Sequence, residues 1–246
     1  MAGRPSAVAL VPAPAGSQRV PGKNLALLAG HPLVAYAIGA AHESGVFDAV
    51  IVSTDSEEIA AVAREYGADV PGLRPAEMST SVSYDIEWVL HVMGGRDEEI
   101  FGIVRPTSPF RTGATIDRAF RRLVELGDRV DSIRAVQPAR QHPGKMWVLA
   151  GELMEPLLPQ PAGETPLHSR QYQALPTVYA QDSSLELAWS RVLRDEVPTI
   201  SGSRVAPFFS EGWEGFSIDY PQDLELAERA VDSGEATLSV LPARTR

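Results

Sequence analysis

The sequence predicts an α/β protein whose sheet carries helices on both faces. Short continuous apolar runs alternate with segments of helical period, the pattern of a sheet buried on both sides. A loop of small residues, with Arg19 and Lys23, follows the first apolar run, where such sheets bind ligands. The 246 residues, 44% of them hydrophobic, suffice for one large core, so a single domain over 1–246 is expected.

The elements follow in order. Ala7 to Val11 reads as a buried strand, and Pro32 to Ala41 is apolar at helical spacing. Asp48 to Ser53 is a second strand. Thr54-Asp55-Ser56-Glu57-Glu58 then opens a helix, with Asp55 as N-cap and Glu58 completing a capping box. A helix covers Tyr84 to Met93, a strand Ile100 to Val104, a helix Thr112 to Leu126, and a strand Ser132 to Val136. From Gln137 to about Gln173, Pro, His and Gly interrupt short apolar runs without a strong period, as in an inserted arm or lid. Strands resume at Ser184 to Trp189, Thr199 to Val205 and Gly215 to Ile218. Pro221 stands at the first position of a closing helix.

Composition excludes several classes. Twenty-two basic against 32 acidic residues give a net charge of −10, which opposes nonspecific nucleic-acid binding. Without cysteine there is no disulfide, thiolate nucleophile or Cys-ligated zinc. No signal-peptide pattern and no long apolar window stand in the sequence, so a cytoplasmic protein is expected. The five histidines show no metal-ligand spacing.

The first loop, Val11 to Asn24, suits phosphate binding through backbone N–H groups and its cations. It is not a P-loop, because five residues separate Gly16 from Gly22 and Asn24 follows the lysine. Arg105-Pro106-Thr107-Ser108-Pro109-Phe110-Arg111-Thr112 brings two arginines to the end of the third strand, or serves as a rigid turn with Thr112 as a cap. Arg74, between prolines, is an anion clamp or a surface residue. Asp219, in Ser217-Ile218-Asp219-Tyr220-Pro221, either holds Mg²⁺ beside phosphate oxygens or complements the next helix's N-terminus.

In this order the segments resemble the acylneuraminate cytidylyltransferase family, which makes CMP-activated sialic acids and related nonulosonates. Val11 to Asn24 is similar to its Ile-Pro-Ala-Arg-Gly-Gly-Ser-Lys opening, which closes on Lys-Asn. Val52 to Asp55, Arg74 to Glu77, Arg105 to Arg111, Arg170-Gln171 with Leu175-Pro176, Tyr179 to Leu185 and Ser217 to Glu228 resemble its later motifs. The resemblance spans about residues 7 to 230 and implies a three-layer α/β/α sandwich on a mixed, mostly parallel sheet. That is the Rossmann-like nucleotide-diphospho-sugar transferase fold, here with a dimerisation arm at about 138–180. It implies the reaction of CTP with a sugar acid to give a CMP-sugar and pyrophosphate, with Mg²⁺, in a homodimer.

Residue by residue, the resemblance implies that Arg19, Lys23 and Asp219 are catalytic, with Asp219 holding the metal. Pro12, Ala13, Ala15, Gly16, Ser17, Asn24 and Arg74 would bind nucleotide. Arg105, Thr107, Ser108, Arg111, Arg170, Gln171 and Asp182 would bind the acceptor. The chain departs from the pattern at Pro14 for an arginine, Gln18 for a lysine, Arg105 for a glutamine, Ser217 for the first acid of Asp-x-Asp, and Asp182-Ser183 for Asn-Gly. Two alternatives stay open: a homologue that binds nucleotide or sugar without transfer, and a cytidylyltransferase for another anion such as a phosphonate.

Overall fold

The structure is a computed structural model that describes residues 3–17, 19–80 and 82–242. Gln18, one of the departures named above, lies outside the described residues. In chain order the strands are β1 Ala7–Pro12, β2 Leu27–Leu28, β3 His31–Pro32, β4 Ala49–Ser53, β5 Ile100–Ile103, β6 Ser132–Pro138, β7 Trp147–Ala150, β8 Leu153–Pro156, β9 Tyr179–Trp189 and β10 Val205–Phe209. The helices are α1 Leu33–Ser44, α2 Glu57–Glu65, α3 Asp85–Met93, α4 Gly113–Leu126 and α5 Pro221–Asp232. Two compact units result: residues 1–135 with 182–246, and residues 136–181.

The first unit is built on the sheet β10-β6-β9-β5-β1-β4, in which β1 pairs in parallel with β4 and β5, and β9 runs antiparallel to β5. Side chains alternate across β1 as the pleat requires. Ala7, Ala9 and Val11 pack with α1, α2 and α4, whereas Val8 and Leu10 pack with Trp88, Val89 and Met93 of α3. Helices thus cover both faces, and the carboxyl ends of β1, β4 and β5 lie together. A smaller cluster joins Ile218 to Phe110, Leu33, Tyr36 and Ala227 of α5, fixing the segment that carries Asp219.

Three local expectations are corrected. The cap of α2 is Ser56, whose Oγ accepts from Ile59 N at 3.3 Å, which leaves Asp55 for another contact. Residues 199–204 form a turn rather than a strand. The Asp131 carboxylate accepts from the N–H groups of Ser203 and Arg204, at 3.2 and 2.9 Å, and Gly202 turns at φ +66°. Gly215 to Ile218 is irregular; its one ladder-like bond runs from Ile218 N to Thr107 O at 2.8 Å.

In the second unit β7 and β8 form an antiparallel hairpin. Lys145 Nζ donates to the carbonyls of His168 and Arg170 at 3.1 and 2.7 Å, and Tyr172 Oη accepts from His142 N at 2.8 Å. The hairpin leaves Leu149 and Leu153 77% and 74% exposed. Among the described residues no helix is long and apolar enough to cross a membrane.

Candidate active site

The loop after β1 is pinned from three sides. Ala13 N donates to Ser53 O at 2.9 Å, extending the pairing with β4. Ala15 N donates to Asp55 Oδ1 at 2.8 Å, the contact that Asp55 is free to make. Asn24 Nδ2 reaches back to Pro14 O at 2.8 Å. Gly22 at φ +67° supplies the left-handed turn that only glycine adopts without strain, and the chain enters a short 3₁₀ turn, Lys23–Leu25.

Lys23 and Arg19 meet one carboxylate. Asp219 Oδ1 lies 3.1 Å from Arg19 Nη2 and 3.5 Å from Lys23 Nζ. Lys23 Nζ also donates to Ile218 O at 3.0 Å. Burial lowers the Lys23 ammonium from its ordinary range, against the pull of Asp219. The Arg19 guanidinium lies 5.3 Å from the Tyr220 ring centroid. Asp223 Oδ2 accepts from the N–H groups of Asp219 and Tyr220, at 2.8 and 2.7 Å, which fixes the backbone that presents Asp219.

Beside this cluster a cavity of about 260 Å³ opens at the strand ends, lined by Pro12, Pro14, Ser17, Lys23, Asn24, Arg74, Arg105 and Thr107 together with Met78 to Thr80, Ser83, Asp85 and Trp88. Arg74 is 6% exposed. Its Nε and Nη2 donate to Ser53 Oγ and Ser53 O at 2.9 and 3.0 Å, and its guanidinium lies 4.9 Å from the Trp88 ring centroid. Burial pushes Arg74 down to about 10, so it stays cationic at neutral pH. Arg105 Nη2 donates to Asp85 Oδ2 at 2.6 Å and to Glu186 Oε1 at 3.0 Å; its charge is therefore engaged by the protein.

Seven of the sequence-derived site residues meet in this wall: Pro12, Ser17, Lys23, Asn24, Arg74, Arg105 and Thr107. Ala15 and Gly16 are exposed on the loop, and Ala13 is buried in the core. Three residues expected to contact the acceptor are buried. Arg111 is wholly buried, and its Nη1 donates to the carbonyls of Arg105 and Ser184 at 3.1 and 2.7 Å. Ser108 is likewise buried. Asp182, 5% exposed, accepts from Ser184 N at 3.0 Å, Ser184 Oγ and Ser210 Oγ at 2.6 Å. The Arg111 and Asp182 side chains hold backbone and turns, and all three are shielded from solvent. Arg170 and Gln171 belong to the second unit, where Arg170 pairs with Glu164 at 2.7 Å and Gln171 is exposed.

The sequence reading missed Asp85 and Trp88. They sit three residues apart on α3, with Trp88 Nε1 donating to Asp85 Oδ1 at 2.8 Å. Their spacing is the one signal that pointed to a shared face. Among the described residues no three His, Cys, Asp or Glu side chains gather to hold a metal. The arrangement offers cations and fixed backbone to an anionic ligand.

A family model described as Cytidylyltransferase matches residues 8–230. The CMP-N,N'-diacetyllegionaminic acid synthase of Legionella pneumophila is 32% identical over 240 residues, 94% of this chain and 98% of that one. The N-acylneuraminate cytidylyltransferase of Escherichia coli is 41% identical over 119 residues, 48% of this chain and 28% of its own length. In fold, the chain is similar to a CMP:2-keto-3-deoxy-manno-octonic acid synthetase solved in complex with CTP. The TM-score is 0.68 at 14% identity, covering 93% of this chain and 99% of that one.

Proposed function

The chain belongs to the cytidylyltransferase family, and on that premise we propose that it activates a nonulosonic-type sugar acid as its CMP conjugate. The observation that carries the proposal is the cavity at the ends of β1, β4 and β5, where Lys23, Asn24, Arg74 and Thr107 converge beside the Arg19–Lys23–Asp219 cluster. In the proposed reaction the anomeric hydroxyl oxygen of the sugar forms a bond to the α-phosphorus of CTP. The bond from that phosphorus to the bridging oxygen breaks, pyrophosphate leaves with the electron pair, and the hydroxyl proton passes to solvent.

Phosphoryl-type transfer of this kind needs positioning and charge stabilisation more than covalent help. Lys23 and Arg19 would neutralise the leaving phosphates, and the pinned loop would offer N–H groups already in place. Arg74, held between Ser53 and Trp88, would meet the nucleoside end without reorganising. The Arg105–Asp85 pair would line the acceptor half of the cavity. Asp219 fits Mg²⁺ as a single hard carboxylate, since that ion is commonly held by one or two carboxylates with substrate phosphates and water. Bound there, Mg²⁺ would supply further charge neutralisation at the phosphates. Ser217 adds no charge, so the triphosphate would provide most of the anionic ligands.

The hairpin of the second unit, with Leu149 and Leu153 exposed, supports a homodimer built through this arm. The need for CTP supports a cytoplasmic location. Pyrophosphate release, measured with each of the four ribonucleoside triphosphates and a panel of sugar acids, tests the proposal. Release with CTP and a nonulosonic acid is expected. Measurable CTP binding with no release for any pair would leave a binding protein without transfer.

A further inference from the structure

Resting on the cytidylyltransferase reading, we propose that Arg111 is a positioning residue that keeps the cavity wall in register with the Arg19–Lys23–Asp219 cluster. The side chain is wholly buried and does not line the cavity. Its Nη1 donates to the carbonyls of Arg105 and Ser184 at 3.1 and 2.7 Å. The paired register of β5 with β9 runs from Ile100–Trp189 to Ile103–Glu186, and Arg111 bridges the two chains beyond that last pair. There β5 gives way to a turn whose Arg105 and Thr107 line the cavity. Two more bonds carry this hold to the cluster. Ile218 N donates to Thr107 O at 2.8 Å, and Lys23 Nζ donates to Ile218 O at 3.0 Å. Lys23 and the Asp219 segment thus hang from the turn that Arg111 fixes. From β9, Asp182 Oδ2 accepts from Ser210 Oγ at 2.6 Å, which fastens the approach to that segment as well.

The chemistry of Arg111 favours this role over core filling. Its Nη1 bonds carbonyls only, and its Nε and Nη2 have no hydrogen-bond partner among the described residues, so no carboxylate pairs with it there. Burial pushes the guanidinium down to about 9, against the pull of Asp182, so it stays cationic at neutral pH. A buried charge without a paired carboxylate opposes folding, and an uncharged side chain of similar volume would fill the space more favourably. What the guanidinium adds is reach: one rigid donor group meets carbonyls of two chain segments and fixes both at once. In-line transfer between two bound ligands depends steeply on such placement, since a displacement of about 1 Å can cost roughly 100-fold in rate. Arg111 acts through Arg105, Thr107 and Ile218 rather than on a reacting atom.

Two variants of the full chain test this. Arg111→Met keeps much of the bulk and removes the donors, whereas Arg111→Lys keeps the charge on a shorter side chain. Pyrophosphate release from CTP and a nonulosonic acid is followed well below each variant's Tm, with kcat counted per CTP-binding site from calorimetric titration. In Arg111→Met, kcat per site is expected to fall at least about tenfold, while the Kd for CTP alone stays within about threefold of wild type. Arg111→Lys is expected to fall between the two. A core residue without this role would lower the Tm or the number of sites and leave kcat per site unchanged. Wild-type kcat per site in Arg111→Met, or in Arg111→Lys where the methionine variant does not fold, overturns the proposal. Hydrogen exchange is a second arm that needs no turnover. Exchange of the Ile218 amide, bonded to Thr107 O, is expected to quicken at least about tenfold in Arg111→Met while the amides of β1 exchange as in wild type. Unchanged exchange at Ile218 overturns the proposal. A wild type that releases no pyrophosphate with any nucleotide and acid would instead sink the cytidylyltransferase reading, and the exchange arm would still judge the tether.

Discussion

Arg105→Met removes one guanidinium from the middle of a charge chain and keeps similar bulk. Arg105 donates to Asp85 at 2.6 Å and to Glu186 at 3.0 Å, and Glu186 is 4% exposed. Arg134 stays 3.0 Å from the other oxygen of Glu186, so that acid keeps one cation. Breaking a buried ion pair by removing one partner costs roughly 3–5 kcal/mol. The retained Arg134, and the partial exposure of Asp85 and Arg105 (35% and 22%), bring the expected loss to about 2–3 kcal/mol. For a chain of this size that is a fall in Tm of roughly 4–12 °C, readable by calorimetry. Acid supplies the control. Burial pushes the Asp85 carboxyl up, but the charge and hydrogen bond of Arg105, with the bond from Trp88, bring it below its ordinary value. Its contribution in the wild type is present above the unfolded value of about 3.9 and is lost as pH falls through the lower folded value. Without Arg105, burial acts largely unopposed, and Asp85 takes up its proton at a higher pH. The deficit of the variant should therefore narrow from pH 7.5 to pH 4.5. A Tm within about 1 °C of wild type at both pH values, or a deficit that grows in acid, would mean that Arg105 does not stabilise the ionised Asp85.

Lys23→Ala removes a mostly buried ammonium at the mouth of the cavity. At about 1.5–3 kcal/mol for a charge-assisted contact, kcat/KM for CTP should fall roughly 10- to 150-fold. Unchanged pyrophosphate release would mean that the triphosphate lies elsewhere. Leu149→Glu with Leu153→Glu charges the exposed hairpin. Sedimentation should give a dimer for the wild type and a monomer for the variant, and a dimer in both would remove the arm from the interface. Gly102→Ala places a Cβ 2.6 Å from Leu187 Cδ2 and 2.9 Å from Phe47 Cζ. A loss of about 1–3 kcal/mol is expected from such overpacking, measured by urea unfolding; a neutral substitution would mean that β5 and β9 are looser than described.

Much of the architecture was legible because β1, β4 and β5 are buried on both faces and read as unbroken apolar runs. The loop after β1 was legible for a related reason: small residues, prolines and a Lys-Asn pair leave few alternatives at a strand end. What escaped was set by partners distant in sequence. Thr54, Asp55 and Ser56 are all competent N-caps, and only the neighbouring loop, 40 residues away, decides that Asp55 holds Ala15. Residues 199–204 look like a strand until Asp131, more than 70 residues earlier, takes their amides. Arg111 belongs to a motif that suggests an exposed cation, yet it bonds a carbonyl 73 residues away. Asp85 and Trp88 carried only a helical pattern, because their cavity is assembled by loops from three other strands.

One reaction tests the proposed transfer most directly. CTP and a purified nonulosonic acid, incubated with the full chain and Mg²⁺, should yield one pyrophosphate for each CMP-sugar conjugate by mass spectrometry. With the anomeric hydroxyl labelled with ¹⁸O, the label should appear in the bridge between sugar and CMP. Label in free CMP instead, or no conjugate with any sugar acid while CTP binds, would contradict it.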